Sequence, residues 1–220
     1  MDKKQILTTI KKLRDSKYKK KFAQSVDLII NLKNLDLKKP ENKIDFFMQL
    51  PHGKGKKTPV GIFVDDSLVL EAKKFFDEVI EKKNFQSYAK DKKKIKKLAS
   101  KCGCFVSQAN LMPEVAKNFG QILGRRGKMP NPKAGCIVPP KIILKPLYEK
   151  LQKMIRLNTK GELIIKCSIG TEIMKDEELV ENGLAVYDNV LKNLIQGKNN
   201  FKSFLLKLTM SHPIKVGDDK

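Results

Sequence analysis

The sequence predicts an α/β protein of two domains, one assembled from both ends of the chain and the other inserted between them. Three observations carry that prediction. Near both ends apolar residues alternate with period two, as in strands buried on one face. The middle instead holds short continuous apolar runs separated by helical patterns, as in a parallel sheet covered on both sides. Neither end alone has enough strands for a stable sheet, so the two ends must pair. At 220 residues the chain is long enough for this arrangement.

The elements follow in order. Ile6, Ile10 and Leu13 fall on one helical face, followed by a basic patch at Lys17, Lys19, Lys20 and Lys21. In "SVDLIINL" the set Val26, Leu28, Ile30 and Leu32 points one way, and in "IDFFMQL" the set Ile44, Phe46, Met48 and Leu50 does the same. The charged, proline-bearing connection "KNLDLKKPENK" is a surface loop. After the linker "PHGKGKK", the run Val60–Val64 reads as a fully buried strand. Asp66 or Ser67 caps the next helix, which carries Leu68, Leu70, Ala72 and Phe75. The lysine-rich stretch Lys90 to Lys101 is an amphipathic helix ahead of the strand "CFVSQ". Pro113 opens a helix that Gly124 terminates, and a further helix around "LYEKLQKMI" runs toward residue 155. Alternation then returns in "GELIIKCSIG". A helix begins at Asp176, with Leu179, Val180, Leu184, Val190, Leu191 and Leu194 on one stripe and Gly197 as its stop. "SFLLKLTM" buries Phe204, Leu206, Leu208 and Met210, and the tail past Pro213 is expected to fray.

Charge narrows the function. Lys plus Arg number 46 against 24 acids, a net charge of +22, and such self-repulsion points to a polyanionic partner. A membrane partner is not expected: no helix pairs a basic face with an aromatic one, and tryptophan is absent. "MDKKQILTTIKKL" reads as no secretion signal, so the expected location is the cytoplasm. Cys102 and Cys104 stand as C-x-C while Cys136 and Cys167 stand alone. Zinc spacing is missing, and reduced thiols with no metal are expected. An enzyme is not expected either. "PHGKGKK" lacks the Walker spacing, no G-x-G-x-x-G follows Val64, and His52 and His212 are the only 2 histidines. Glu172, Asp176, Glu177 and Glu178 gather at a helix start, where acids complement the dipole. A DNA reader would need Arg, Asn or Gln on a recognition helix, and the basic helix offers almost only lysine.

The segment Gly124–Gly135, "GRRGKMPNPKAG", puts Arg125, Arg126, Lys128, Asn131 and Lys133 on a basic excursion stiffened by Pro130 and Pro132. Its meeting partner, RNA or the facing domain, is left open by the residues. Together with "LMPEVAKNFGQIL" before it, and with "KKFAQSVDLIINLKNLD", "LPHGKGK", "KDEELVENGLAV" and "LKLTM" in order, it resembles the signature of the ribosomal protein L-one family, with archaeal-like wording in "LPHGKGK" and "KPEN".

The resemblance covers nearly the whole chain and implies the rest of the expectation. The fold would be a sandwich-like, split βαβ terminal domain with an inserted Rossmann-like domain. Residues 1–57 plus 156–220 would form the rRNA-binding domain and residues 58–155 the insert, joined by hinge strands. The protein would bind the stalk of large-subunit rRNA near exit-site tRNA, help release deacylated tRNA, meet other ribosomal components, and repress translation by binding its own mRNA. Neither a cofactor nor a homo-oligomer is implied. By motif, Lys21, Phe22, Ser25, Lys166, Lys207, Thr209, Met210 and Ser211 would face RNA, with Ser211-His212 replacing the family's Gly-Pro. On residue chemistry, Phe22 offers a stacking platform, Lys21 a phosphate contact, and Ser25 and Thr209 ribose hydrogen bonds.

Overall fold

The structure, a computed structural model, describes residues 2–15, 20–39, 42–140, 142–159 and 161–217. Lys17 and Lys19 of the early basic patch, and Pro40 of the first surface loop, lie outside the described residues. The first part of the chain forms α1 (Lys3–Leu13), β1 (Ser25–Leu32) and β2 (Asp45–Gln49). The middle forms β3 (Val60–Val64), α2 (Val69–Phe75), β4 (Glu78–Glu81), α3 (Phe85–Lys90), α4 (Lys92–Lys101), β5 (Cys104–Gln108), α5 (Met112–Arg125), β6 (Ile137–Val138) and α6 (Leu144–Lys153). The last part forms β7 (Met154–Asn158), β8 (Ile164–Thr171), α7 (Asp176–Asn193), β9 (Phe201–Leu208) and β10 (Ile214–Lys215). These elements divide into two compact units, residues 1–56 with 153–220 and residues 57–152.

The terminal unit is built on an antiparallel sheet ordered β10-β9-β1-β8. β8 and β9 both run antiparallel to β1 and are joined through α7, so β1 sits inside a split βαβ unit. The alternation in β1 decides which face is buried. Val26, Leu28, Ile30 and Leu32 join Ile6, Ile10 and Leu13 of α1 and Leu179, Val186 and Val190 of α7 in one core. Each such side chain contributes roughly 1.5–3 kcal/mol by leaving water. β2 pairs with β7 in a separate two-stranded sheet whose Met48, Leu50, Ile155 and Leu157 reach the same core. Where β8 ends, Gly170 permits a close approach: a Cβ there would lie 2.5 Å from the Leu179 side chain.

The inserted unit holds a parallel sheet ordered β4-β3-β5-β6, flanked by helices as a Rossmann-like fold requires. All five β3 residues are buried. Phe63 of β3 meets Phe85, Phe105 and Phe119 at centroid distances of 5.8, 5.6 and 4.9 Å, and these rings are the centre of the insert's core.

Several expected elements shift. The cap before α2 is Asp65, whose side chain accepts the Asp66 N–H. A short 3-10 turn, Asp66–Leu68, follows it. That turn rotates the helix, so Val69 and Ala72 are buried while Leu70 is 81% exposed. The helix expected to reach residue 155 stops at Lys153, because Met154 and Ile155 pair with Gln49 and Met48. α7 ends at Asn193 rather than Gly197, with Leu194 extended and buried. The segment past Pro213 does not fray immediately: Ile214 and Lys215 pair with Leu206 and Leu205, and Val216 is buried. Asp218–Lys220 lie outside the described residues. Met210 is 64% exposed, since the Ser211 N–H bonds back to the Leu208 carbonyl and ends the alternation in a turn.

α5 does not stop at Gly124 either. Gly127 takes the left-handed conformation, with a φ of 65°. Its N–H donates to the Gly124 carbonyl at 2.9 Å, and the Lys128 N–H donates to the Leu123 carbonyl at 2.9 Å. This is the paired bonding of a Schellman cap.

Candidate nucleic-acid interface

At one end of the terminal sheet, three chain segments converge on a single buried glutamine. Gln24 has 0% exposure. Its Oε1 accepts the Met210 N–H at 3.0 Å, its carbonyl accepts the Glu172 N–H at 2.9 Å, and its Nε2 donates to Glu172 Oε2 at 3.4 Å. Beside it the Ser25 N–H donates to Thr209 Oγ1 at 3.1 Å. Residues that start β1, follow β8 and follow β9 are thereby held as one surface. No motif marks Gln24, although its parity gives it away. It continues the inward series 26, 28, 30, 32, and a polar group placed inward must find partners.

Around this pin stand large apolar side chains in solvent: Phe22 at 52% exposure, Met210 at 64% and Ile173 at 77%. Lys20, Lys21 and Thr209 are exposed next to them. Of the expected group, Ser25, Thr209 and Met210 are brought together through Ser25 and Gln24, Lys21 and Phe22 stand just before Gln24 in the chain, and Ile173 follows Glu172. Thr209 Oγ1 accepts the Ser25 N–H and so shapes the patch, while its exposed hydroxyl keeps further acceptor capacity. Ser211, expected to face RNA, is instead buried, its Oγ accepting the Leu208 N–H at 2.8 Å. Its backbone is not in the left-handed region, so the position tolerates a residue other than glycine.

Lys166 and Lys207 lie on the sheet face opposite α1 and α7. Register places Lys207 beside Asp27 and Lys166 beside Ile29. Lys166 is therefore about 13 Å along β1 from Ser25, and the uncovered face extends the patch. Asp27 sits between Ser168 and Lys207. Burial pushes its carboxyl above the usual range, opposed by the Lys207 charge and a Ser168 hydrogen bond. A raised folded-state value means the charged form is disfavoured in the native protein, a penalty felt above that value and absent below the ordinary carboxylate range. Asp27→Asn should accordingly stabilise the protein at pH 7, by on the order of 0.5 kcal/mol. The gain should vanish as pH falls below about 3.9, which parallel melts of the two proteins across pH would read.

In the insert, the basic excursion proves to be a clasp. Lys128 Nζ donates to the carbonyls of Ala99 and Cys102, each at 2.7 Å, so it caps the C-terminus of α4. Arg126 donates to the Lys96 carbonyl at 3.2 Å and to Ser100 Oγ at 2.8 Å. Asn131 Oδ1 accepts the Lys133 N–H at 2.9 Å, opening a 3-10 turn, Pro132–Ala134. Pro130 and Ala134 are buried and Met129 packs against the phenylalanine core. Of the five expected site residues here, Arg126, Lys128 and Asn131 have internal partners, while Arg125 and Lys133 are exposed.

The cysteines form no disulfide. Burial pushes the Cys102 thiol up to about 11 and the Cys167 thiol up to about 12, so neither is a thiolate at neutral pH. Among the described residues no group of three or more His, Cys, Asp or Glu side chains gathers as a metal site, and no helix is long and apolar enough to cross a membrane. His52 meets Glu181 in an exposed ion pair that lowers the Glu181 carboxyl, a surface contact of the linker.

The described residues form a split βαβ unit carrying a shaped patch with a basic surface, followed in the chain by a parallel α/β unit inserted between its two halves. The chain belongs to the Ribosomal protein L1p/L10e family, whose profile matches residues 11–212. It is 42% identical over 211 residues to the "Large ribosomal subunit protein uL1" of Nanoarchaeum equitans, spanning 94% of this chain and 97% of that one. The protein of the same name from Thermococcus kodakarensis is 36% identical over 98% of each chain, and that of Methanothermococcus thermolithotrophicus is 38% identical over 98% of this chain and 99% of its own.

Proposed function

We propose that this chain is a structural component of the large subunit of the cytoplasmic ribosome, and that residues 1–57 plus 156–220 act as its rRNA-binding domain, gripping the stalk of large-subunit rRNA. Residues 58–155 form the inserted domain and work beside exit-site tRNA, assisting release of deacylated tRNA. The same terminal patch represses translation by binding a stalk-like fold in the chain's own mRNA. The observation that carries this reading is the exposure of Phe22 and Met210, from opposite ends of the sequence, around the buried Gln24. A folded protein leaves such side chains in water at a free-energy cost unless a partner covers them. Folded RNA supplies base faces and ribose edges for the apolar groups, while Lys21, Lys166 and Lys207 meet phosphates.

The test is binding of a stalk rRNA fragment to Phe22→Ala and Met210→Ala at several salt concentrations. Phe22→Ala should weaken binding by roughly 10- to 100-fold, the stacking loss of about 1–3 kcal/mol. Its salt slope should not change, because no charge is removed. Wild-type affinity for both, or an altered slope with unaltered affinity, would count against the reading.

A further inference from the structure

We propose that the inserted unit carries its own RNA-binding surface, formed by the outer face of α4 with Arg126 from the end of α5, which takes the phosphate backbone of duplex RNA without reading sequence. This surface lies in the insert and does not depend on the stalk-rRNA patch of the terminal unit.

The first observation is a conflict inside α4. Ile95, Leu98 and Ala99 face the core, and Lys92, Lys93, Lys94, Lys96, Lys97 and Lys101 are all exposed. Three of these lysines occupy the first turn, where the helix dipole favours acids and disfavours cations. Lys93 repels Lys96 and Lys97 at helical spacings of three and four, and Lys94 repels Lys97, each pair destabilising by roughly 0.2–0.5 kcal/mol. Asp91 answers at the cap, where its side chain accepts the Lys93 and Lys94 N–H groups. Among the described residues the only ion pair made by an α4 lysine is Lys101 with Glu78. With no other ion pair among the described residues to offset the α4 lysines, a polyanion outside the unit is the natural counterpart.

The second observation joins two stretches far apart in sequence. The guanidinium of Arg126 is fixed on the Lys96 carbonyl and Ser100 Oγ. It therefore lies over the last turns of α4, in line with the row Lys93, Lys96. The row continues for about 15 Å, the length of a ten-residue helix. Along its flank, Lys94, Lys97 and Lys101 rim an open depression floored by Leu98 and the half-buried ring of Tyr88, where the one carboxylate, Glu78, is paired with Lys101. Lysines are point charges without the fork that reads base edges, so the contact is with phosphates and independent of sequence. An acidic protein surface is the competing partner. A row of cations along one helix matches a backbone of regularly spaced charges, which favours phosphate.

The test uses the full chain and a 16-base-pair duplex RNA unrelated to the stalk. Lys93→Gln, Lys94→Gln and Lys97→Gln are combined, and a matched variant carries Lys3→Gln, Lys4→Gln and Lys11→Gln on α1. The α4 variant should bind the duplex at least tenfold more weakly at moderate salt. Its log–log salt slope should be shallower by about 2.7, since each phosphate contact contributes about 0.9. It should keep stalk-fragment affinity within twofold, and its melting temperature should hold or rise, because glutamine suits a helix and relieves repulsion. The α1 variant should lose less than threefold on the duplex. Equal losses from both variants would reduce the effect to net charge and overturn the proposal. So would an unchanged slope for the α4 variant, or poly-glutamate displacing the duplex at equal charge concentration.

Discussion

Asn182→Ala should lower the unfolding free energy of the terminal unit by about 3–5 kcal/mol, the largest single-residue effect expected in this protein. The side chain is completely buried on α7. Its Oδ1 accepts the His52 N–H at 3.1 Å, and its Nδ2 donates to the carbonyls of Gly53 at 2.9 Å and Ile169 at 2.8 Å. One amide thus joins the linker after β2, the end of β8 and the helix between β8 and β9. Truncation strands two buried carbonyls, each costing about 1–3 kcal/mol without a partner, and a part-buried N–H that costs less. Chemical denaturation checks it. The neighbouring His52→Ala, which removes only the exposed pair with Glu181, should stay within about 0.5 kcal/mol of wild type. Equal costs for the two would mean that the buried amide is not what locks the linker.

Lys128→Met should destabilise the inserted unit by about 2 kcal/mol while leaving stalk-RNA affinity unchanged. The ammonium satisfies two carbonyls at the end of α4, and hydrogen bonds to a charged group are worth about 1.5–3 kcal/mol before the loss is discounted for partial exposure. It also answers the negative end of the helix dipole. Methionine keeps the apolar stem and removes only the donor. Hydrogen exchange should accelerate at the amides of α4 well before those of β3. If Lys128→Met weakens stalk binding and leaves exchange untouched, the residue is an RNA contact and the clasp is incidental.

Much of this molecule is legible in its sequence because period and burial agree. Val26, Leu28, Ile30 and Leu32 alternate and are buried, Val60–Val64 is continuous and wholly buried, and Ile6, Ile10 and Leu13 mark α1. What escapes is set by contacts distant in sequence. β4, four residues with acids at both ends, has no apolar pattern to announce it and exists because β3 offers an edge. Met154 and Ile155 carry a helical look until Gln49 and Met48 claim them as strand partners. Met210 obeys the alternation of β9 on paper, but a turn at Leu208–Ser211 releases it into water. The patch is legible only as motif positions, and Gln24 shows why its shape is not: the two segments it holds lie 148 and 186 residues further along the chain. The Gly124–Gly135 stretch is legible as a charged surface, but not the bonds of Arg126 and Lys128 to carbonyls of α4, which sequence cannot place beside them.

The central claim, that the two ends of the chain present one surface to one RNA, is met most directly by a double-mutant cycle. Stalk-fragment affinities would be measured for wild type, Phe22→Ala, Met210→Ala and the double variant, with melting temperatures held within a degree or two of each other. Side chains covering the same RNA surface should be non-additive, with a coupling of about 0.5–3 kcal/mol. Losses that add to within about 0.3 kcal/mol, or a Met210→Ala variant that binds as wild type, would contradict a shared patch.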